Sequence, residues 1–104
     1  MVHATLMGHI LRLCTERDLL VYYTRDSRGS PPGFPDLTIA GPSGQIFAEI
    51  KGAGGKLSNS QRRWARRLSE GHAEYHIWGE AALRSGRIAA ALDRIADIHL
   101  EEAA

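Results

Sequence analysis

The segment Gly41–Gly44, with the sequence Gly-Pro-Ser-Gly, lies between two short strand patterns over 36–40 and 45–51 and predicts a β-hairpin. Proline at the second position and glycine at the fourth are typical of a type I turn. Because a proline ring excludes positive φ, the usual two-residue hairpin turns are disfavoured. We therefore expect a four-residue loop closed by Ala40 opposite Gln45.

This register concentrates charge on one face of the hairpin. Asp36 falls directly opposite Glu49, and a slip of one residue would put the two side chains on opposite faces. Because side chains alternate along a strand, Lys51 points to the same side as Glu49. Opposed carboxylates repel each other unless a cation lies between them. Such oxygen ligands suit Mg²⁺ or Mn²⁺, and the alternative is an exposed polar hairpin with an incidental Glu-x-Lys.

Hydrophobic periodicity predicts the elements around the hairpin. They are a helix over 3–17, strands over 19–24, 36–40 and 45–51, a helix from 58 to about 71, a strand over 73–78 and a helix over 86–98. The order αβββαβα predicts an α/β fold with a small mixed sheet flanked by helices. With 104 residues we expect one domain, with a core over about 3–98 and an acidic tail over 99–104.

Composition excludes several classes of protein. No apolar run approaches the length of a membrane span, and no signal peptide is visible at the start. Cys14 is the only cysteine, which excludes an internal disulfide and a cysteine-cluster metal site, and we expect it to be a small buried side chain. These features favour a cytoplasmic protein with no membrane partner.

Basic charge is concentrated in one stretch of the chain. Residues 50–69 contain six basic and no acidic side chains, although the net charge is only +1. This concentration predicts an anionic partner, and a solvated helix face is the alternative. The candidate phosphate contacts are Lys56, Arg62 and Arg63, together with Arg25 and Arg28 in the loop before the hairpin.

The second helix carries a glutamine in an unusual place. Its predicted buried stripe recurs at helical spacing and consists of Leu57, Gln61, Trp64 and Leu68. A glutamine on an apolar stripe needs a polar partner, and the nearest candidate is the carboxylate face of the hairpin. Trp64 and Trp78 are expected in the core rather than on the surface as platforms for bases.

Four sequence segments in this order resemble a known family. They are Gly-Phe-Pro-Asp-Leu-Thr-Ile over 33–39, Ile-Phe-Ala-Glu-Ile-Lys over 46–51, Lys-Leu-Ser over 56–58 and Gln-x-x-Trp over 61–64. Together they resemble the VRR-NUC domain, the virus-type replication-repair branch of the PD-(D/E)XK nuclease superfamily, over about residues 3–98. The resemblance implies a restriction-endonuclease-like fold and a metal-dependent endonuclease that hydrolyses phosphodiester bonds in DNA.

The resemblance also implies roles for five residues. Asp36 and Glu49 correspond to the metal-binding carboxylates, and the main-chain carbonyl of Ile50 to a further metal ligand. Lys51 corresponds to the catalytic lysine, and Gln61 to the helix glutamine near the metal site. The implied cofactor is Mg²⁺, with Mn²⁺ as a substitute.

Stand-alone members of this size, from phages and bacteria, resemble Holliday-junction resolvases and act as homodimers. The resemblance therefore implies cleavage of branched or junction DNA in replication, repair or recombination. The alternatives are a nonspecific or nicking DNase of the same fold and a catalytically weak DNA-binding module. One position departs from the family pattern: His3 occupies a place where relatives often have glutamate. His3 could bind a metal, with a preference shifted toward Mn²⁺, or be a polar residue at a frayed terminus.

Overall fold

The computed structural model describes residues 1–23 and 31–97. Its elements are α1 (His3–Glu16), β1 (Leu20–Tyr23), β2 (Leu37–Gly41), β3 (Gly44–Ile50), α2 (Asn59–Glu70), β4 (Tyr75–Trp78), α3 (Glu80–Arg84) and α4 (Arg87–Ala96). The strands form one sheet in the order β1-β2-β3-β4. The first three are antiparallel, and β4 runs parallel to β3. The predicted mixed sheet flanked by helices is confirmed.

Strand alternation gives the sheet an apolar face and a polar face. The apolar face packs with α1 and α4 around the buried side chains Leu37, Ile39, Ile46, Ala48 and Ile50. The opposite face bears the alternate residues of the same strands. On that side α2 packs near β4, and no residue of α2 is fully buried. The core therefore lies on one side of the sheet, and α2 lies on the other.

The hairpin register is confirmed, but the predicted loop length is wrong. Ala40 pairs with Gln45 as expected, and the pairing continues to Gly41 opposite Gly44, so only two residues form the loop. The end of α4 stabilises this tight turn, since the Ser43 N–H donates to the Ile95 carbonyl at 2.9 Å. That contact comes from a distant part of the chain, and the local turn sequence did not indicate it.

The C-terminal helical region begins earlier than predicted. The five-residue α3 was not expected, and Gly86, in the left-handed region with φ of 85°, separates it from α4. Trp78 and Cys14 both lie in the core, as expected, and burial raises the pKa of the Cys14 thiol to about 11. The described helices include none with the length and apolar character needed to cross a bilayer.

Candidate active site

The open end of the hairpin brings two carboxylates together. Asp36 directly precedes β2, and the pairing of Leu37 with Ala48 sets it beside Glu49 on the neighbouring strand. Oδ2 of Asp36 accepts a hydrogen bond from the main-chain N–H of Ile50 at 2.8 Å. The backbone of β3 thus fixes the orientation of the Asp36 carboxylate.

Glu49 is deeply buried, with an exposed fraction of 1%. Its Oε1 accepts a hydrogen bond from Nε2 of Gln61 at 2.7 Å, whereas its Oε2 is buried without a hydrogen-bond partner in the described part of the chain. Burial, followed by the nearby Asp36 carboxylate, raises the pKa of Glu49 to about 8. A buried, unpartnered carboxylate oxygen beside a second carboxylate is a position where a cation would be stabilising.

Gln61 is oriented by the start of α2. Its side chain and that of Ser58 form a capping box: the Ser58 N–H donates to Gln61 Oε1 at 2.8 Å, and the Gln61 N–H donates to Ser58 Oγ at 3.2 Å. This leaves Nε2 directed at Glu49. The predicted polar partner of Gln61 is confirmed, and the Ser-x-x-Gln spacing explains its fixed position.

Lys51 completes the cluster at the end of β3. Its Nζ donates to the Lys56 carbonyl at 3.0 Å and to Gln61 Oε1 at 3.3 Å. Lys51 and Glu49 therefore meet through Gln61, which accepts from one and donates to the other. The structure brings together Asp36, Glu49, Lys51 and Gln61, as the sequence predicted.

His3 lies at the edge of the same cluster. Its Nε2 is 3.3 Å from Oδ2 of Asp36, and half of its side chain is exposed. The linker after β3 passes close to this end of α1, because a Cβ at Gly52 would lie only 2.8 Å from the main-chain nitrogen of His3. The first residue of α1 is thus held beside the carboxylates.

The donor set limits how a metal could be bound. The described residues contain no group of three or more His, Cys, Asp or Glu side chains that could hold a metal ion by themselves. The two carboxylates of Asp36 and Glu49 are hard oxygen ligands, and Mg²⁺ is commonly bound by one or two carboxylates with water and substrate phosphate. The unpartnered Oε2 of Glu49 fits such a cation.

Tyr75 was missed by the sequence reasoning. Its hydroxyl is buried without a hydrogen-bond partner in the described ranges, and burial, followed by Glu49 and Asp36, raises its pKa to about 12. Tyr75 pairs with Phe47 in the parallel ladder, and paired residues point to the same face. Strand alternation could have indicated this position, because Phe47, the partner of Tyr75, shares a face of the sheet with Glu49.

The basic residues after the hairpin lie on the surface. Lys56, Arg62 and Arg63 are exposed. Arg62 donates to Asn59 Oδ1, three residues before it on α2, at 3.4 Å. The exposed arginines of α2 line one shallow surface, formed by Arg62, Arg63, Arg66 and Arg67 with Asn59. Arg25 and Arg28, the other predicted contacts, lie outside the described residues.

The predicted buried stripe of α2 is only half-buried. Trp64 is not part of the core: its ring lies edge-on to Phe34 with centroids 4.9 Å apart, and its Nε1 donates to the Pro32 carbonyl at 3.1 Å. The expectation of a core tryptophan was therefore wrong at this position and right for Trp78. Helix α2 faces the polar side of the sheet, so its apolar stripe meets the site and the loop before β2 rather than the main core.

Comparison with known proteins shows similarity to a family model and to a solved structure. The family model for the VRR-NUC domain matches residues 3–79. A solved structure described as a VRR_NUC domain protein superimposes with a TM-score of 0.62 at 15% sequence identity, covering 76% of this chain and 78% of that chain. At this identity the structural likeness establishes a shared fold. No curated protein matches the sequence.

Proposed function

The chain belongs to the VRR-NUC domain family, and on this premise we propose that it is a metal-dependent endonuclease that cleaves branched or junction DNA. Family membership indicates a nuclease of the PD-(D/E)XK type, for which DNA is the substrate. The observation that carries the proposal is the convergence of two carboxylates with Lys51 and Gln61, in which Oε2 of Glu49 is buried and unpartnered.

The metal would be held by Asp36, by the free Oε2 of Glu49 and by the main-chain carbonyl of Ile50. When bound, Mg²⁺ or Mn²⁺ supplies a Lewis acid that polarises the phosphate and lowers the pKa of water. The raised pKa of Glu49 fits this role, because the cation replaces the proton that the buried carboxyl otherwise retains.

Lys51 contributes a positive charge at a fixed position. Two of its three donor protons go to the Lys56 carbonyl and to Gln61 Oε1, which leaves the third for the attacking water or a phosphate oxygen. A fixed ammonium stabilises the negative charge that develops on the phosphate oxygens as water adds to phosphorus and the bond to the leaving oxygen breaks. Gln61 positions both Lys51 and Glu49 and need not touch the substrate.

We also propose that His3 shifts the metal preference of this chain toward Mn²⁺. His3 would lie beside the bound metal, since its Nε2 is 3.3 Å from Oδ2 of Asp36, and as an additional ligand its imidazole would favour Mn²⁺ over Mg²⁺ more than the glutamate of many relatives. We expect His3→Glu to lower the ratio of Mn²⁺-supported to Mg²⁺-supported cleavage by about tenfold, the effect typical of altering one group around a metal. His3→Gln is the matched control, because it removes the imidazole without adding a charge. An unchanged ratio in His3→Glu, with metal affinities equal to wild type by calorimetry, would place His3 outside the site.

DNA would approach across the exposed basic face. We propose that Lys56, Arg62 and Arg63 contact phosphates, with Arg25 and Arg28 as further contacts from the loop before the hairpin. We also propose a homodimer, because symmetric cleavage of a junction needs two sites. The edge strand β1 offers a surface for a second copy, since Leu20 is 75% and Tyr22 is 66% exposed.

The first test is cleavage of a labelled four-way junction beside a linear duplex and a single strand of matched sequence. Each substrate is incubated with Mg²⁺, Mn²⁺ or EDTA. We expect paired, metal-dependent cuts confined to the junction. Equal cleavage of all three substrates would instead favour the nonspecific DNase of the same fold. Binding without cleavage in either metal would favour the DNA-binding module.

A further inference from the structure

A cleft distinct from the carboxylate site lies where the loop before β2 meets α2. Pro31 and Pro32 line it from the loop, and the α2 residues that line it are Ser60, Arg63, Trp64 and Arg67. Its volume is about 390 Å³, within the range of small-ligand sites. None of the roles assigned above to the carboxylates, Lys51 or Gln61 uses this cleft.

The walls of the cleft are held in place. Trp64 is held on one side by the hydrogen bond from its Nε1 to the Pro32 carbonyl, at 3.1 Å, and on another by the edge-on ring of Phe34. The described end of the loop, residues 31–36, lies directly against α2 at Gly33, because a Cβ added there would come within 2.4 Å of the Ser60 carbonyl carbon. The cleft is thus built by packing between two segments, residues 31–36 and α2.

The lining combines flat apolar surfaces with positive charge. Pro31, Pro32 and Trp64 contribute proline rings and an indole as stacking surfaces, and the exposed Arg63 and Arg67 contribute positive charge. The acidic neighbour is Glu70, whose Oε1 is 3.6 Å from Nε of Arg67, and both side chains are more than half exposed. Such an exposed pair is weak and would not prevent Arg67 from meeting a phosphate. An acidic peptide would use the arginines alone, whereas a nucleotide would use both the flat surfaces and the charge.

We propose that this cleft binds an unpaired nucleobase of the DNA substrate, with the flanking phosphates on Arg63 and Arg67. The inference rests on the proposed nuclease function and narrows its substrate to DNA with an unpaired nucleotide near the cut. Gln61, which contacts Glu49, lies three residues before Trp64 on α2, and such neighbours are about 5–6 Å apart. The cleft therefore adjoins the carboxylate site along α2.

The test compares two junctions that differ at one position. One carries an unpaired 2-aminopurine nucleotide next to the branch, and the other carries an abasic residue in its place. Binding is measured by anisotropy in the Lys51→Ala background, which prevents cleavage. We expect the abasic junction to bind about fivefold more weakly or worse, the range for loss of one stacked base, and the 2-aminopurine emission to be quenched on binding.

Two variants assign this difference to the cleft. The Trp64→Leu protein is expected to bind both junctions as weakly as the Trp64-containing protein binds the abasic one, and to leave 2-aminopurine unquenched. The Trp64→Phe protein is expected to keep the difference in affinity between the two junctions. Arg62→Gln, outside the cleft, is expected to weaken both junctions by one common factor. If the Trp64-containing protein binds the two junctions equally, the proposed base site is wrong but the proposed nuclease function is not. The same holds if the difference in affinity persists in Trp64→Leu. Failure of the wild-type protein in EDTA to bind either junction would overturn the proposed function itself.

Discussion

Replacing Asp36 by asparagine or Lys51 by alanine is expected to reduce DNA cleavage by about 10²–10³-fold while leaving DNA affinity within a few-fold of wild type. Asp36→Asn retains an oxygen that can accept the Ile50 N–H but removes the charge opposite Glu49. Lys51→Ala removes the ammonium held by the Lys56 carbonyl and Gln61. Both changes affect the proposed reacting groups, whereas we expect affinity to depend mainly on the arginines of α2.

The chain offers a matched lysine for this experiment. The Lys56 side chain is exposed, and its main-chain carbonyl, which Lys51 contacts, survives substitution. Lys56→Ala is therefore expected to weaken DNA binding and flatten its dependence on salt, with little effect on the rate once DNA is bound. Single-turnover cleavage and anisotropy separate these effects. Loss of binding together with cleavage in Lys51→Ala would indicate misfolding, and wild-type rates would show that the chemistry lies elsewhere.

The hairpin shows how much of the site the sequence determines. One turn with proline and glycine at set positions fixes the pairing of Ala40 with Gln45, and this register places Asp36 beside Glu49. The inward direction of Gln61 follows from helical spacing, and its partner from the need to satisfy a half-buried amide. These inferences succeed because each depends on the repeat of side-chain direction within one strand pair or one helix, and the packing of the fold does not change that repeat.

The missed features depend on contacts between distant segments. The two-residue loop is stabilised by Ile95, which lies more than fifty positions along the chain. Trp64 lies against Phe34 and Pro32 because α2 covers the polar side of the sheet, and helical periodicity does not reveal which side a helix covers. The buried hydroxyl of Tyr75 depends on the parallel pairing of β4, which no short sequence pattern specifies.

Replacing Glu49 by glutamine is expected to stabilise the metal-free protein at alkaline pH. Burial and Asp36 raise the pKa of Glu49 from 4.5 to about 8. Between these values the unfolded chain has lost the proton that the folded chain retains, so stability falls as pH rises, by up to about 1.4 kcal/mol per pH unit. Glutamine cannot ionise and can still accept the hydrogen bond from Gln61, so it removes this loss.

The prediction is checked by urea unfolding in EDTA at intervals from pH 5.5 to pH 9. The free energy of unfolding of wild type should fall across this range relative to Glu49→Gln, with the difference growing toward pH 8 and then levelling. Glu74 is the matched control, because ion pairing with Arg94 lowers its pKa to about 2. Its contribution is lost only as pH falls below about 4.5. Because His76 also contacts Glu74, at 2.7 Å, the control is measured in a His76→Gln background, where Glu74→Gln should lower stability by a constant amount throughout the measured range.

The wild-type and Glu49→Gln proteins also test the metal site without any measurement of activity. At pH 8, Mn²⁺ should raise the unfolding free energy of wild type by an amount that grows with the logarithm of its concentration, because it binds the folded state. Glu49→Gln should show little of this increase, since the buried anionic oxygen that would hold the cation is gone. If the unfolding free energies of wild type and Glu49→Gln in EDTA change in parallel with pH, the raised pKa of Glu49 is contradicted. An equal response to Mn²⁺ in both proteins would show that any metal bound here does not need Glu49.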